Sequence, residues 1–135
     1  MDWLDNTVAE FGRQLGLRDL RPNDQGMVRL ILASGRPLSV EPDMRHGHQE
    51  LLVALGHQVG HDATQHAQTA LRMAHAQRFA PLDIQLAVSG HGVDTLLIAS
   101  TRLPARAFTV QALSAVVSTL ARWLDDVTAT EETHG

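Results

Sequence analysis

The chain contains no cysteine and no lysine. Without cysteine there is no disulfide framework, and the absence fits a reducing compartment. Without lysine there is no Gly-x-x-x-x-Gly-Lys loop to cradle a nucleotide phosphate. All 11 basic residues are therefore arginines, spread from Arg13 to Arg122 without a run or stripe, in a chain of net charge −4. That distribution argues against a nucleic-acid partner. Only five aromatic side chains are present, Trp3, Phe11, Phe79, Phe108 and Trp123, too few for a base-stacking platform. No apolar run approaches the roughly 18 residues that cross a bilayer, so no membrane insertion is expected. The opening residues carry Asp2 and Asp5 and no early basic cluster, unlike a secretory signal.

What is present is a globular composition: 135 residues, 44% hydrophobic and 19% charged. This fits one domain with a real core, expected over residues 1–127, followed by a polar, disordered tail over 128–135. A cytoplasmic protein is expected.

Apolar spacing gives the elements. Leu4, Val8, Phe11 and Leu15 recur at helical intervals over residues 2–15, with Asp2 as N-cap and Gly16 as the stop. Residues 18–26 are polar and carry Pro22, Asn23, Asp24 and Gly26, a loop. Met27–Ala33 alternates as a first strand, and Leu38–Glu41 follows after a Ser34-Gly35-Arg36 turn as its hairpin partner. Pro42 to Gly47 reads as a turn. Leu51–Leu55 is apolar on both faces and reads as an interior or interface-covered third strand.

A helix is expected over 63–78, with Ala63, Ala67, Ala70, Leu71 and Ala74 on one face. That face packs either on the chain's own sheet or against a second subunit, because small side chains bury useful area only where the approach is tight. Leu82–Val88 alternates cleanly as a half-buried strand, and Val93–Ser100 returns as its partner across Ser89-Gly90-His91-Gly92. Thr109 caps a last helix carrying Val110, Leu113, Val117, Leu120, Leu124 and Val127, with Val116 and Trp123 widening the stripe.

Candidate chemistry fails on inspection. His57-Gln58-Val59-Gly60-His61 has the spacing of a zinc-protease helix, but Gln58 stands where the general base must be. Chance metal binding by His46, His48, His57 and His61 has no defined ligand set behind it. Ser89, His91 and Asp94 share one local hairpin without a nucleophile elbow. Asp125-Asp126 and Glu131-Glu132 read as a solvated end. No enzyme, no cofactor and no metal are expected.

The opening Met1-Asp2-Trp3-Leu4, Phe11 and Leu15-Gly16 on the first helix carry a resemblance, together with Gly35-Arg36-Pro37-Leu38-Ser39-Val40-Glu41, the leucine-bearing hairpin and the apolar last helix. The chain resembles the class I type III secretion chaperones, the Tir chaperone or CesT-like family. Within it the chain is most similar to the SycN group, which serves a YopN-type gatekeeper. The resemblance covers roughly residues 1–127, departing from the family over the histidine-rich stretch from His46 to His75.

It implies an α+β fold of helix–three strands–helix–two strands–helix, with an antiparallel twisted sheet flanked by helices. It also implies a dimer, either a homodimer or a heterodimer with a second small class I chaperone. The client is then a secreted effector or gatekeeper, held by a non-globular N-terminal segment, in the cytoplasm or peripherally at the secretion apparatus. The family places its second helix near the dimer seam, which makes Ala67, Ala70, Leu71 and Ala74 the interface candidates. Client-contact candidates are Leu4, Val8 and Phe11 on the first helix, with Met27, Ile31 and Leu97 on the strands. The competing class is a non-catalytic adaptor that binds a folded partner as an assembly piece of the apparatus.

Overall fold

A computed structural model describes residues 2–45, 47–59, 68, 83–90 and 92–133. Helix α1 (Asp2–Gln14) is followed by strands β1 (Val28–Ile31), β2 (Pro37–Arg45) and β3 (His48–Gln58), then by β4 (Gln85–Ser89), β5 (Leu96–Pro104) and helix α2 (Val110–Thr133). Apart from Gln68, which is helical, the helix expected over 63–78 lies outside the described residues. The five strands form one antiparallel sheet in the order β1-β2-β3-β5-β4, and with the two flanking helices this is the expected α+β architecture.

Leu4, Val8 and Phe11 bury the inner stripe of α1, while Leu15 is 43% exposed. The reason is the helix end. Leu17 N–H donates to Gly12 O and Gly16 N–H to Arg13 O, with Gly16 at φ +80°, which closes α1 before Leu15 can turn inward. Gly12 is needed here because a Cβ would come within 2.7 Å of the Leu20 Cβ. In α2, Leu113, Val116, Leu120, Trp123, Leu124 and Val127 are all buried, and Thr109 Oγ1 accepts the Ala112 N–H as the N-cap. The helix runs on to Thr133, past Val127 where its apolar stripe ends; the Thr128 hydroxyl donates to Leu124 O.

Between the hairpins, two expectations need correction. The turn expected at 42–47 does not begin at Pro42, because β2 runs on to Arg45, which pairs with His48 at the start of β3. Strand β2 runs straight through Pro42. Pairing with β1 stops at Val40, so Pro42 sits where β2 is an edge, and edges tolerate a residue without N–H. The strand expected at 82–88 is observed at Gln85–Ser89 and is more exposed than its alternation suggests, with Val88 at 49%. It is the terminal strand, beyond β5, away from the centre of the sheet. The doubly apolar β3 is the central strand, as its composition predicts.

The core lies between the sheet and the two helices. Register puts Val28, Leu38, Val40, Leu51, Val53, Leu55, Leu97 and Ala99 on one face, all buried. Arg36 pins this layer at one corner. Its Nε donates to His57 Nδ1 at 3.1 Å, Nη1 to the Ala121 carbonyl at 3.3 Å, and Nη2 to Asp125 Oδ1 at 2.6 Å. One side chain thereby joins the β1–β2 turn, the end of β3 and helix α2.

Candidate functional site

The opposite face of the sheet holds the residues that alternate with the core. Following the register across the strands, Ile31 pairs with Pro37, Gly56 with Ile98, and Ile98 with Ala87. A Cβ on Gly56 would lie 3.0 Å from Pro37 Cγ and 3.8 Å from Leu96 Cδ1, so Pro37 and Gly56 are the neighbours that join the two halves of the row. The result is an apolar row crossing all five strands, roughly 19 Å long at about 4.8 Å per strand.

A groove of about 570 Å³ follows this row. Ser39, Ala54 and Gly56 of β2 and β3 form its floor, with Ile31 on the β1 side and Leu96, Ile98 and Ser89 on the other. The small floor residues are what make a depression: any larger side chain at 54 or 56 would fill it. Among the described residues Arg29 is the one charged residue lining it, and none of their ion pairs uses Arg29.

Further along the same face the character changes. Glu41, Asp43, Glu50 and Arg102 occupy the far rows, where Arg102 Nη1 donates to Asp43 Oδ2 at 2.5 Å. With one arginine against three carboxylates these rows stay charged, so the apolar row is bounded by polar surface rather than continuing along the strands.

The sequence-derived candidates distribute unevenly over this geometry. Ile31, 66% exposed, lies in the groove. Met27 is half-buried in a turn in which Asn23 Oδ1 accepts the N–H groups of Gln25 and Met27. Leu97 is at 0% exposure on the helix-covered face; its neighbours Leu96 and Ile98 are the ones that reach the groove. Leu4, Val8 and Phe11 are core residues at 1%, 1% and 4% exposure. Ala67, Ala70, Leu71 and Ala74 lie outside the described residues. Sequence reasoning passed over Pro37, Ala54, Gly56, Leu96 and Ile98; the double-sided apolarity of β3, with strict alternation applied to β5, is the signal that points to them.

The histidines offer no metal centre among the described residues, where no group of three or more ligating side chains converges. His57 belongs to strand β3, with Gln58 next to it on the other face, so the first half of the zinc-protease-like spacing is not helical. Gln58 Nε2 instead donates to the Val93 carbonyl at 2.7 Å. Among the described residues no helix is long and apolar enough to cross a membrane.

The sequence matches no family model and no curated protein. Solved structures with the same fold do exist. The type III secretion chaperone SycH of Yersinia pestis, in complex with a stable fragment of YscM2, superposes with a TM-score of 0.66 at 17% identity, over 92% of this chain and 98% of SycH. An ExsC–ExsE complex gives 0.64 at 17% identity over 91% and 89%, and a HopA1–SchA chaperone–effector complex gives 0.63 at 17% identity over 90% and 89%. The chain therefore has the fold found in type III secretion chaperones.

Proposed function

We propose that this protein is a type III secretion chaperone that holds a non-globular segment of a secreted protein and keeps it competent for export. The observation that carries the reading is the apolar groove on a sheet face of that fold, lined in part by Ile31, Pro37, Ala54, Leu96 and Ile98, which lie outside the protein's own core cluster. A surface of this kind favours a partner that supplies its own apolar side chains. The activity is holding without turnover, in the cytoplasm, and it needs no cofactor. The client is an effector or a YopN-like gatekeeper, in keeping with the SycN-like features of the first helix and of residues 35–41. The working unit is a dimer with its seam on Ala67, Ala70, Leu71 and Ala74, made with a second copy or with a second small class I chaperone.

The test is light scattering coupled to gel filtration on the protein alone and after co-expression with the small secretion proteins encoded beside it. A homodimer of twice 14.7 kDa, or a clean one-to-one heterodimer, that retains a co-expressed secreted protein is the expected result. A stable monomer that retains none sinks the reading in favour of the adaptor, which binds a folded partner.

A further inference from the structure

Helix α2 is tied to the sheet through one titratable ring. His57 ends the core-facing row of β3, two residues after Leu55 and opposite Leu97 of β5. Its Nδ1 accepts the Arg36 Nε–H at 3.1 Å in a part-buried setting. The same guanidinium, 12% exposed, reaches α2 with its other two nitrogens, Nη1 on the Ala121 carbonyl and Nη2 on the Asp125 carboxylate. Strand end, turn and helix are thus joined through one planar cation, and the His57 ring orients that cation from the strand side.

A guanidinium carries donors only and stays charged at every pH a folded protein meets. Its bond to His57 therefore exists only while Nδ1 has a free lone pair, which places the proton of the neutral ring on Nε2. Protonation at Nδ1 turns the acceptor into a second donor. It also sets two positive charges at the distance of a hydrogen bond, where the mostly buried arginine is poorly screened by water.

Among the described residues, three elements surround the ring. The β1–β2 turn brings Arg36. Helix α2 carries Arg122, Asp125 and Asp126 around this corner, and Asp125, 63% exposed, is taken up by Arg36. Strand β5 brings Leu97, which has no charge. Asp125 offsets the guanidinium charge but does not remove the clash of two donors at Nδ1.

We infer that Arg36 and His57 form a pH-sensitive latch, which holds α2 to the sheet while the His57 ring is neutral and loosens when Nδ1 takes up a proton. Ala121 and Asp125 keep Arg36 on the helix after the ring lets go, so α2 loosens at this corner without detaching. An unfolded chain has no such clash. Below the ordinary histidine value of about 6.5 it binds a proton that the folded state disfavours. The stability that the latch contributes is complete above that pH and is lost progressively as the pH falls below it.

Urea midpoints of the full-length protein at about pH 7.5 and about pH 5.5 test this, a window that crosses the histidine range. His57→Asn places an amide oxygen where Nδ1 stands, an acceptor at both pH values. On acidification the wild-type midpoint falls by at least about 0.5 M more than that of His57→Asn, because the other histidines titrate in both proteins and cancel. In the Arg36→Ala background the same exchange at position 57 makes no difference to the acid shift. Hydrogen exchange, corrected for its intrinsic pH dependence, locates the effect. Amides of residues 121–128 open at least about threefold more often at the lower pH in wild type than in His57→Asn, and those of α1 change less. Nitrogen NMR of the wild-type ring at the higher pH finds the His57 proton on Nε2.

An acid shift equal in wild type and His57→Asn overturns the latch. So does an excess that survives Arg36→Ala, because the proton then acts on a different neighbour. A His57 ring protonated on Nδ1 at the higher pH overturns it as well, since Arg36 then has no lone pair to bind. All of these are read from a change with pH or from the wild type itself, so a variant that is less stable at both pH values still decides. None of them touches the chaperone reading.

Discussion

On the face of the sheet that α1 and α2 cover, Leu51, Val53 and Leu55 of β3 lie beside Leu97 and Ala99 of β5, all at 0% exposure. One residue along each strand, on the other face, stand Leu52, Ala54 and Gly56 beside Leu96 and Ile98, and of these only Gly56 is buried. The strands are the same, and both sets are apolar. They differ in volume and in what they meet. The covered face carries large branched side chains that fill the space under two helices, whereas the other face keeps its middle small and its sides large. The first pattern stabilises a protein; the second leaves a depression with a use.

The largest expected effect follows from breaking the covered face. Leu55→Ala removes a fully buried side chain at the centre of the central strand. The expected loss is about 3 kcal/mol, from lost burial and the cavity left behind, read as a fall in the urea midpoint. Partner binding measured on the fraction still folded is unchanged, because Leu55 faces away from the groove.

Arg36 comes next. It is 12% exposed and bridges three elements, so Arg36→Ala costs about 2 kcal/mol, since hydrogen bonds from a charged donor are worth about 1.5–3 kcal/mol net. Arg36→Lys recovers only part of it, because an ammonium lacks the planar fork that reaches His57, Ala121 and Asp125 together. Chemical denaturation of the two variants checks this, with equal stability of Lys and Ala as the result that would refute the bridging role. Asp125→Ala has a much smaller effect, under about 1 kcal/mol, because its carboxylate is 63% exposed and water screens the pair.

Much of the fold was legible in the sequence because periodicity reports burial directly. The stripe of α2, the Thr109 cap, the stop at Gly16 and the central place of β3 all follow from residue spacing and turn chemistry. The extent of β2 was not legible, because Pro42 reads as a breaker until the sheet order shows that this stretch is an edge. Arg36 was not legible either. A turn arginine looks solvated, and only the docking of α2 gives it a carbonyl and a carboxylate to bind. The groove lay between. Ile31 was visible as an apolar residue out of phase with its strand, but Leu97 drew attention that belongs to Leu96 and Ile98. A three-residue apolar run does not say which members share a face until pairing fixes the register.

The smallest effect on stability accompanies the sharpest test of the comparison. Ile31 is 66% exposed at the end of the shortest strand, where a polar side chain keeps its water and leaves no cavity. Ile31→Ser therefore shifts stability by about 0.5 kcal/mol or less. Its neighbour Leu30 has its side chain on the covered face and packs against the core, so Leu30→Ser costs several times more for a closely similar change of chemistry. Binding reverses the ranking. Partner binding is reduced more by Ile31→Ser than by folded Leu30→Ser, since both positions line the groove but Ile31 is the exposed side chain and Leu30 is packed against the core. Urea titration paired with retention of the co-expressed secreted protein by these two variants separates a residue that holds the sheet together from one that presents it to a partner. If both variants lose stability and binding in the same proportion, the two faces are a single cooperative core and the groove has no separate role.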